Sequence, residues 1–306
     1  MNSRPRAASR GDCMRALAGF LVSLVLASPA LAKDPRRAPL RLSSEGDSIT
    51  AAIDAEELHP WEGLTPNEWA SWANGYHDRL ERLLGRTDVD SHNQRISKQF
   101  GKKKRKNYME AFAGADSTDL LAQALRSVKH KADYVTVFMG HNDVCTKDFA
   151  GIPSDTEFES NVRAGFDALR AGLPPGATVY TVGIVDVFRL WQIGDQLEAL
   201  GILDCKRIWE DSRLQLTPCG TMFGANLDAA DREYTRGRIL AFNAILARLV
   251  AEYDARDAHH WWQYTNVAFE TPFEAEDLSP FDCFHPSARG QKRLSAETWA
   301  DGPFAP

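Results

Sequence analysis

The 306-residue sequence lacks most of the short signatures by which catalytic sites are usually found. There is no HExxH pair for a catalytic zinc, no GxSxG elbow and no GxGxxG loop. No CxxC pair occurs, which argues against a zinc ribbon or a thioredoxin-like redox site. Cations are in deficit, 36 Lys and Arg against 42 Asp and Glu, so no nucleic-acid partner is expected. Internal repeats and an interdomain linker are also missing, which favours one domain.

Long apolar runs are scarce too. The only candidate is LAGFLVSLVLA near the N-terminus, shorter than the ~20 residues a membrane helix needs. It follows Arg4, Arg6, Arg10 and Arg15 and ends in SPALA, where Ala30-Leu31-Ala32 makes an A-x-A cleavage site. Residues 1–32 therefore read as a secretory signal peptide, with Met14 as an alternative start, and the chain as periplasmic or secreted. No Cys stands at the cleavage point to carry a lipoprotein anchor. Cleavage would leave 274 residues and move the formal net charge from −6 to −9.

What is present suits a large core: 43% apolar residues and eight Trp. Residues 33–306 are read as a single domain. Of five Cys, Cys13 leaves with the leader, and Cys145, Cys205, Cys219 and Cys283 remain as an even set in an exported chain. Two disulfides are expected. Three connectivities are open; the short local loop favours Cys205–Cys219, which pairs Cys145 with Cys283.

Periodicity predicts a strand over 39–44, a helix over 67–85 stopping at Gly85, and a polar loop over 91–107. A capped amphipathic helix follows over 117–130, then a buried strand over 134–139. The stretch FESNVRAGFDALRAGL reads as a helix, PPG as a turn and ATVYTVGIVDV as another buried strand. Residues 189–235 read as an irregular stapled insertion, and 236–253 as the clearest helix. Strands alternating with helices imply βαβ units, a parallel sheet and an α/β three-layer sandwich.

In such a sheet functional groups collect at the carboxyl ends of strands. Two predicted strands end in polar clusters, Gly46-Asp47-Ser48 and Gly140-His141-Asn142-Asp143, and a third cluster, FDCFHPSARG, holds Asp282 and His285 three apart. Each alone has a bland reading: a serine N-cap, an Asx turn, a surface acid beside a capping histidine. Together they supply a nucleophile, an oxyanion donor, a base and an orienting carboxylate, the parts that acyl transfer by a serine requires.

GDSIT, GHND and DCFH, in this order, resemble blocks one, three and five of the SGNH hydrolases, also called GDSL esterases and lipases. The surrounding segments, over most of residues 40–298, look like the phospholipase B-like branch. The resemblance implies a flavodoxin-like strand order, Ser48 as nucleophile, Asp282 and His285 as triad partners, and an oxyanion hole from Ser48, Asn142 and a block-two glycine. NYMEAFAGADSTDLLAQ makes Gly114 the candidate for that glycine, with Gly101 as the alternative. The family often has a glycine shortly after block one, where this chain has Ala51-Ala52.

Neither metal nor cofactor is called for. The expected reaction is carboxylic ester hydrolysis, on a lipid or short-acyl ester, with O-acetylated glycans or a non-catalytic binding role as alternatives. Asp143 is expected to brace its loop and His141 to shape it. His285 is taken as the only histidine in a DxxH context. His259-His260-Trp261-Trp262 is assigned to the core rather than to a lipid-docking patch, and KKKRK at 102–106 to a solvated loop, its contact with a membrane surface being the alternative.

Overall fold

The computed structural model describes residues 33, 36–55, 66–85, 89–101, 104–210 and 219–306; the expected leader at 1–32 lies outside them. Five strands form the sheet: β1 (Arg41–Gly46), β2 (Lys106–Met109), β3 (Tyr134–Phe138), β4 (Thr178–Val182) and β5 (Trp261–Thr265). All neighbours pair in parallel, in the order β2-β1-β3-β4-β5. The fold is therefore the expected α/β sandwich with a parallel sheet, and the strand order is the flavodoxin-like one.

The helices in chain order are α1 (Arg79–Leu83), α2 (His92–Gln99), α3 (Leu120–Lys129), α4 (His141–Val144), α5 (Asp155–Gly172), α6 (Val187–Ala199), α7 (Cys205–Glu210), α8 (Gly220–Phe223), α9 (Ala229–Arg256), α10 (Val267–Glu270) and α11 (Ala288–Ala300). One face of the sheet is covered by α3, α5 and α9. Phe158 of α5 stacks on Phe242 of α9 at 4.0 Å between centroids, and Phe166 meets Tyr253 and Trp262. On the other face, α2 and α11 cover Tyr134 and Tyr180. There the Tyr180 hydroxyl donates to Thr298 O, and His92 bridges the Tyr134 and Thr298 hydroxyls at 2.9 Å each. Burial pushes His92 down to about 3, so it is a neutral core residue.

Three expectations need correction. The helix expected over 67–85 is broken: a 3-10 turn at Glu68–Ala70 gives way to a tight loop before α1. The apolar spacing there comes from burying Trp69, Ala70, Trp72 and Ala73 off a folded-back backbone; a Cβ at Gly75 would lie 2.6 Å from the Ser71 and Trp69 carbonyls. Gly85 does stop α1, at φ 74°. The polar loop expected over 91–107 instead holds α2, opened by a Ser91–Gln94 capping box, and the start of β2. Strand β2 is a sheet edge, and edge strands carry polar residues that mask them in sequence. Of KKKRK, Lys102 and Lys103 lie outside the described residues; Arg105 donates to Pro39 O at 2.9 Å and Lys106 begins β2.

The insertion expected over 189–235 is not irregular either. It contains most of α6, all of α7 and α8, and the first two turns of α9, with only 211–218 outside the described residues. Helix α9 starts earlier than expected because Asp228 caps it, accepting from Asp231 N at 2.9 Å.

Candidate active site

Strand β1 ends in a turn that two buried glutamines hold. Gln123 on α3 accepts from Gly46 N and donates to Gly46 O, at 2.7 and 2.9 Å. Gln291 on α11 donates to Ile49 O at 2.8 Å and accepts from Trp72 N at 3.0 Å. Gly46 is required by space, since a Cβ there would lie 2.6 Å from the Thr50 hydroxyl and 2.7 Å from Phe138 O. Ser48 sits in this turn, 7% exposed. Ala52, where the family often has glycine nearby, takes the left-handed conformation at φ 53°. Neither glutamine was singled out from sequence; a lone Gln in an amphipathic helix gives no signal of what its amide will meet.

His141 joins three strand ends. Its Nδ1 is 2.7 Å from an Asp47 carboxylate oxygen, and its Nε2 accepts from Val185 N at 3.2 Å. An acceptor Nε2 puts the proton on Nδ1, so the neutral imidazole donates to Asp47. Both ring nitrogens are thus engaged in holding the loop. Asp143 braces it, accepting from Ser117 N at 2.9 Å and from the Ser117 hydroxyl at 2.5 Å. Burial pushes the Asp143 carboxyl up to about 6, against the pull of the Ser117 bonds. Gly140 makes the sharp exit at φ 119°, and a Cβ there would strike Ile184 at 2.6 Å.

Asn142 follows, and its Nδ2 donates to Ala115 O at 2.8 Å, leaving its second amide proton available. Gly114, at φ 80°, immediately precedes that acceptor, and neither its N–H nor that of Ser48 has a backbone acceptor among the described residues. Gly114 lies past the carboxyl end of β2, on the side of Ser48 and Asn142. Gly101 precedes the amino end of β2 and so lies at the wrong end of the sheet. The geometry therefore favours Gly114 over the alternative as the companion of Ser48 and Asn142. Replacing Asn142 by Ala should lower kcat about 10²–10³-fold with little effect on thermal stability; steady-state kinetics beside a melting curve checks it.

The third segment is the loop carrying Asp282 and His285. Asp282 Oδ1 accepts from Phe284 N and His285 N at 2.9 and 3.0 Å, and its Oδ2 bonds His285 Nδ1. His285 is 5% exposed, and its Nε2 has no hydrogen-bond partner. That nitrogen and the Ser48 hydroxyl are not bonded to each other, as is common before substrate binds. The loop is tied to the Ser48 turn by Ala288 N donating to Ala55 O at 2.6 Å.

Burial pulls the His285 imidazole down, but the Asp282 carboxylate, through charge and hydrogen bond, together with Asp54 and Asp47, leaves it above its ordinary 6.5. Asp54 was not anticipated. One side-chain ligand atom from each of Asp54, Asp282 and His285 lies within 4.8 Å of the other two, and all three residues are buried. A divalent cation could use that cluster, but only by occupying the carboxylate and imidazole of the base. Because base catalysis needs the neutral imidazole, the acid limb of the pH profile should lie above 6.5. Asp54→Asn should move that limb to lower pH, and a limb that stays in place would mean Asp54 does not act on His285.

A second DxxH pair escaped the sequence reading. Asp257 accepts from His260 Nδ1 at 2.8 Å, and His260 Nε2 faces Leu173 O at 3.1 Å. With both nitrogens engaged just before the amino end of β5, this pair holds the core together, and Trp262 is buried beside it.

The disulfides differ from expectation. The bonds are Cys145–Cys219 and Cys205–Cys283, not Cys205–Cys219 and Cys145–Cys283. Cys205 opens α7 and Cys219 precedes α8, so a helix stands between the two that looked close in sequence. Cys145 follows α4 and the oxyanion candidate, and Cys283 lies between Asp282 and His285. Both site loops are therefore tethered to the same α7–α8 segment. Trp209 on α7 adds a hydrogen bond to Asp282 O at 3.1 Å, and Thr221 on α8 donates to Val144 O at 2.5 Å.

Comparison with solved structures gives matches at low identity. An acetylxylan esterase from Geobacillus stearothermophilus is 13% identical, with 88% of this chain and 95% of that chain covered and a TM-score of 0.47. An alpha/beta hydrolase from the metagenome of Lake Arreo, Spain, is 16% identical, with 88% and 95% covered and a TM-score of 0.47. Among curated proteins no significant match is found. The model of the GDSL-like lipase/acylhydrolase family, however, matches residues 46–293. That span opens at Gly46, just before Ser48, and takes in the Asn142 and His285 loops, so the chain belongs to the GDSL-like lipase/acylhydrolase family.

Proposed function

We propose that this family member is an exported carboxylic ester hydrolase working through a Ser48 acyl-enzyme. The observation that carries the reading is the buried His285 imidazole, fixed by Asp282 through Nδ1 and left with an unpartnered Nε2 on the loop tied to the Ser48 turn. His285 Nε2 takes the proton as Ser48 Oγ attacks the ester carbonyl. The oxyanion accepts from the N–H groups of Ser48 and Gly114 and from Asn142 Nδ2. Collapse expels the alcohol with the proton from His285; water, deprotonated by His285, then attacks the acyl carbonyl and regenerates Ser48. Asp282 holds the tautomer and stabilises the imidazolium.

Export is supported by the leader pattern and by two disulfides, which persist in oxidising compartments. No helix among the described residues is long and apolar enough to cross a membrane.

A fluorophosphonate probe tests the reading directly, because it phosphonylates serines that a neighbouring base activates. One label per chain is expected, mapping to the Ser48 peptide and absent in His285→Ala. Absence of label on the folded wild-type chain would overturn the proposal and favour a non-catalytic binding protein.

A further inference from the structure

A cavity of about 650 Å³ opens beside the loop that carries Asp282 and His285. Its wall includes Cys283 and Ala288 from either side of His285, and Ala55, next to Asp54. The remainder is mainly apolar and includes Trp69, Leu197, Leu203 and Leu278. The two charged residues on the lining, Glu276 and Arg289, pair with each other at 3.8 Å, and Arg289 also pairs with Glu274. The described wall thus offers no uncommitted cation for an anionic headgroup, and few polar groups for a sugar.

The lip of the cavity is apolar as well. Leu84 and Ile202 line it and are 53% and 67% exposed. Their neighbours Leu83 and Leu200 are 82% and 71% exposed. Exposed leucines gathered at the mouth of an apolar cavity mark a surface that meets an apolar partner. At ~30 Å³ per water in the liquid, the cavity has room for roughly twenty waters, far beyond what an acetyl group fills.

We propose that this cavity receives the acyl chain, and that the substrate is a medium- or long-chain fatty acyl ester presented at a lipid–water surface, with Leu83, Leu84, Leu200 and Ile202 as the docking lip. The proposal rests on the Ser48–His285 reading and adds to it the acyl site and the physical state of the substrate. Each methylene entering the cavity leaves water, so kcat/KM should rise about fourfold per CH₂ over the first several, converting ~0.8 kcal/mol per buried methylene.

The test measures kcat/KM for p-nitrophenyl acetate, butyrate, octanoate and decanoate below their critical micelle concentrations, and hydrolysis of a trioctanoin emulsion. Wild type should rise along the series. Ala275→Trp, which fills the cavity from its partly exposed wall, should cut the decanoate-to-acetate ratio at least tenfold. Ile202→Asp, at an exposed position where folding is not at stake, should cut the trioctanoin-to-acetate ratio at least fivefold. Ser48-dependent cleavage of acetate that falls with chain length, or ratios unmoved by both variants, would overturn the acyl-site proposal while leaving the esterase reading intact. Failure to cleave any ester would overturn both.

Discussion

Ser48→Ala should lower kcat about 10⁶-fold and Asp282→Asn about 10⁴-fold, both with the fold intact. On the proposed mechanism, the first removes the atom that would form the acyl bond. The second is the more diagnostic, because it changes one atom and no volume. The introduced amide oxygen could still accept from the Phe284 and His285 N–H groups, as Asp282 Oδ1 does. The introduced amide nitrogen would then face His285 Nδ1 and donate to it. That moves the imidazole proton to Nε2, the nitrogen that must receive a proton from Ser48. Losses in a triad are not additive, so the double variant should be no slower than Ser48→Ala. A kcat for Asp282→Asn within tenfold of wild type, measured at saturating ester, would break the triad assignment.

Glu45→Gln should stabilise the protein by about 3 kcal/mol near neutral pH. Glu45 lies on β1, fully buried, and neither carboxyl oxygen has a hydrogen-bond partner. The neighbouring Ser127 hydroxyl is engaged with Ser43 at 2.8 Å, and Arg126 is taken by Glu110 at 2.6 Å. Burial first, and then the Glu110 charge, push Glu45 up to about 8 from its ordinary 4.5, with Ser127 and Arg126 holding it back in part. The folded chain therefore keeps a proton that the unfolded chain releases. Stability is unaffected below about pH 4.5, falls as pH rises towards 8, and levels off beyond. Glutamine is similar in shape and carries no such proton, so its advantage should be absent near pH 4.5 and grow to pH 8. Denaturant unfolding at several pH values measures it, and parallel curves for the two proteins would refute the account.

The sheet and the segments that meet at the candidate site were legible in the sequence for one physical reason. Strands β3 and β4 are buried on both faces, so their β-branched and aromatic runs stand out, and the polar groups that follow β1 and β3 contrast with the runs before them. The edge strand β2 carried no such contrast, and α6–α8 were obscured by the two cysteines among them and by the short lengths of α7 and α8. Disulfide pairing could not be read because it depends on which loop each half-cystine faces. Gln123 and Gln291 act through side chains whose partners are 77 and 242 residues away, and no local pattern encodes such a meeting. Asp54 was hidden for the same reason, since its effect falls on a histidine in a distant loop. Asp257–His260 shows the converse hazard, because the spacing that marks the base at Asp282–His285 also occurs where both ring nitrogens are occupied.

The crossed tethers have a consequence for how the protein matures. The nucleophile turn is held by hydrogen bonds alone, whereas the loops bearing Asn142 and His285 are each fastened covalently to the α7–α8 segment. On the proposed roles, the loops bearing the oxyanion donor and the base are pinned only after four thiols have been oxidised in one of three possible pairings. A chain still inside the reducing cytoplasm would carry its serine ready and its base loop unfastened. If the chain is exported as proposed, competence would arrive with the oxidation that follows export.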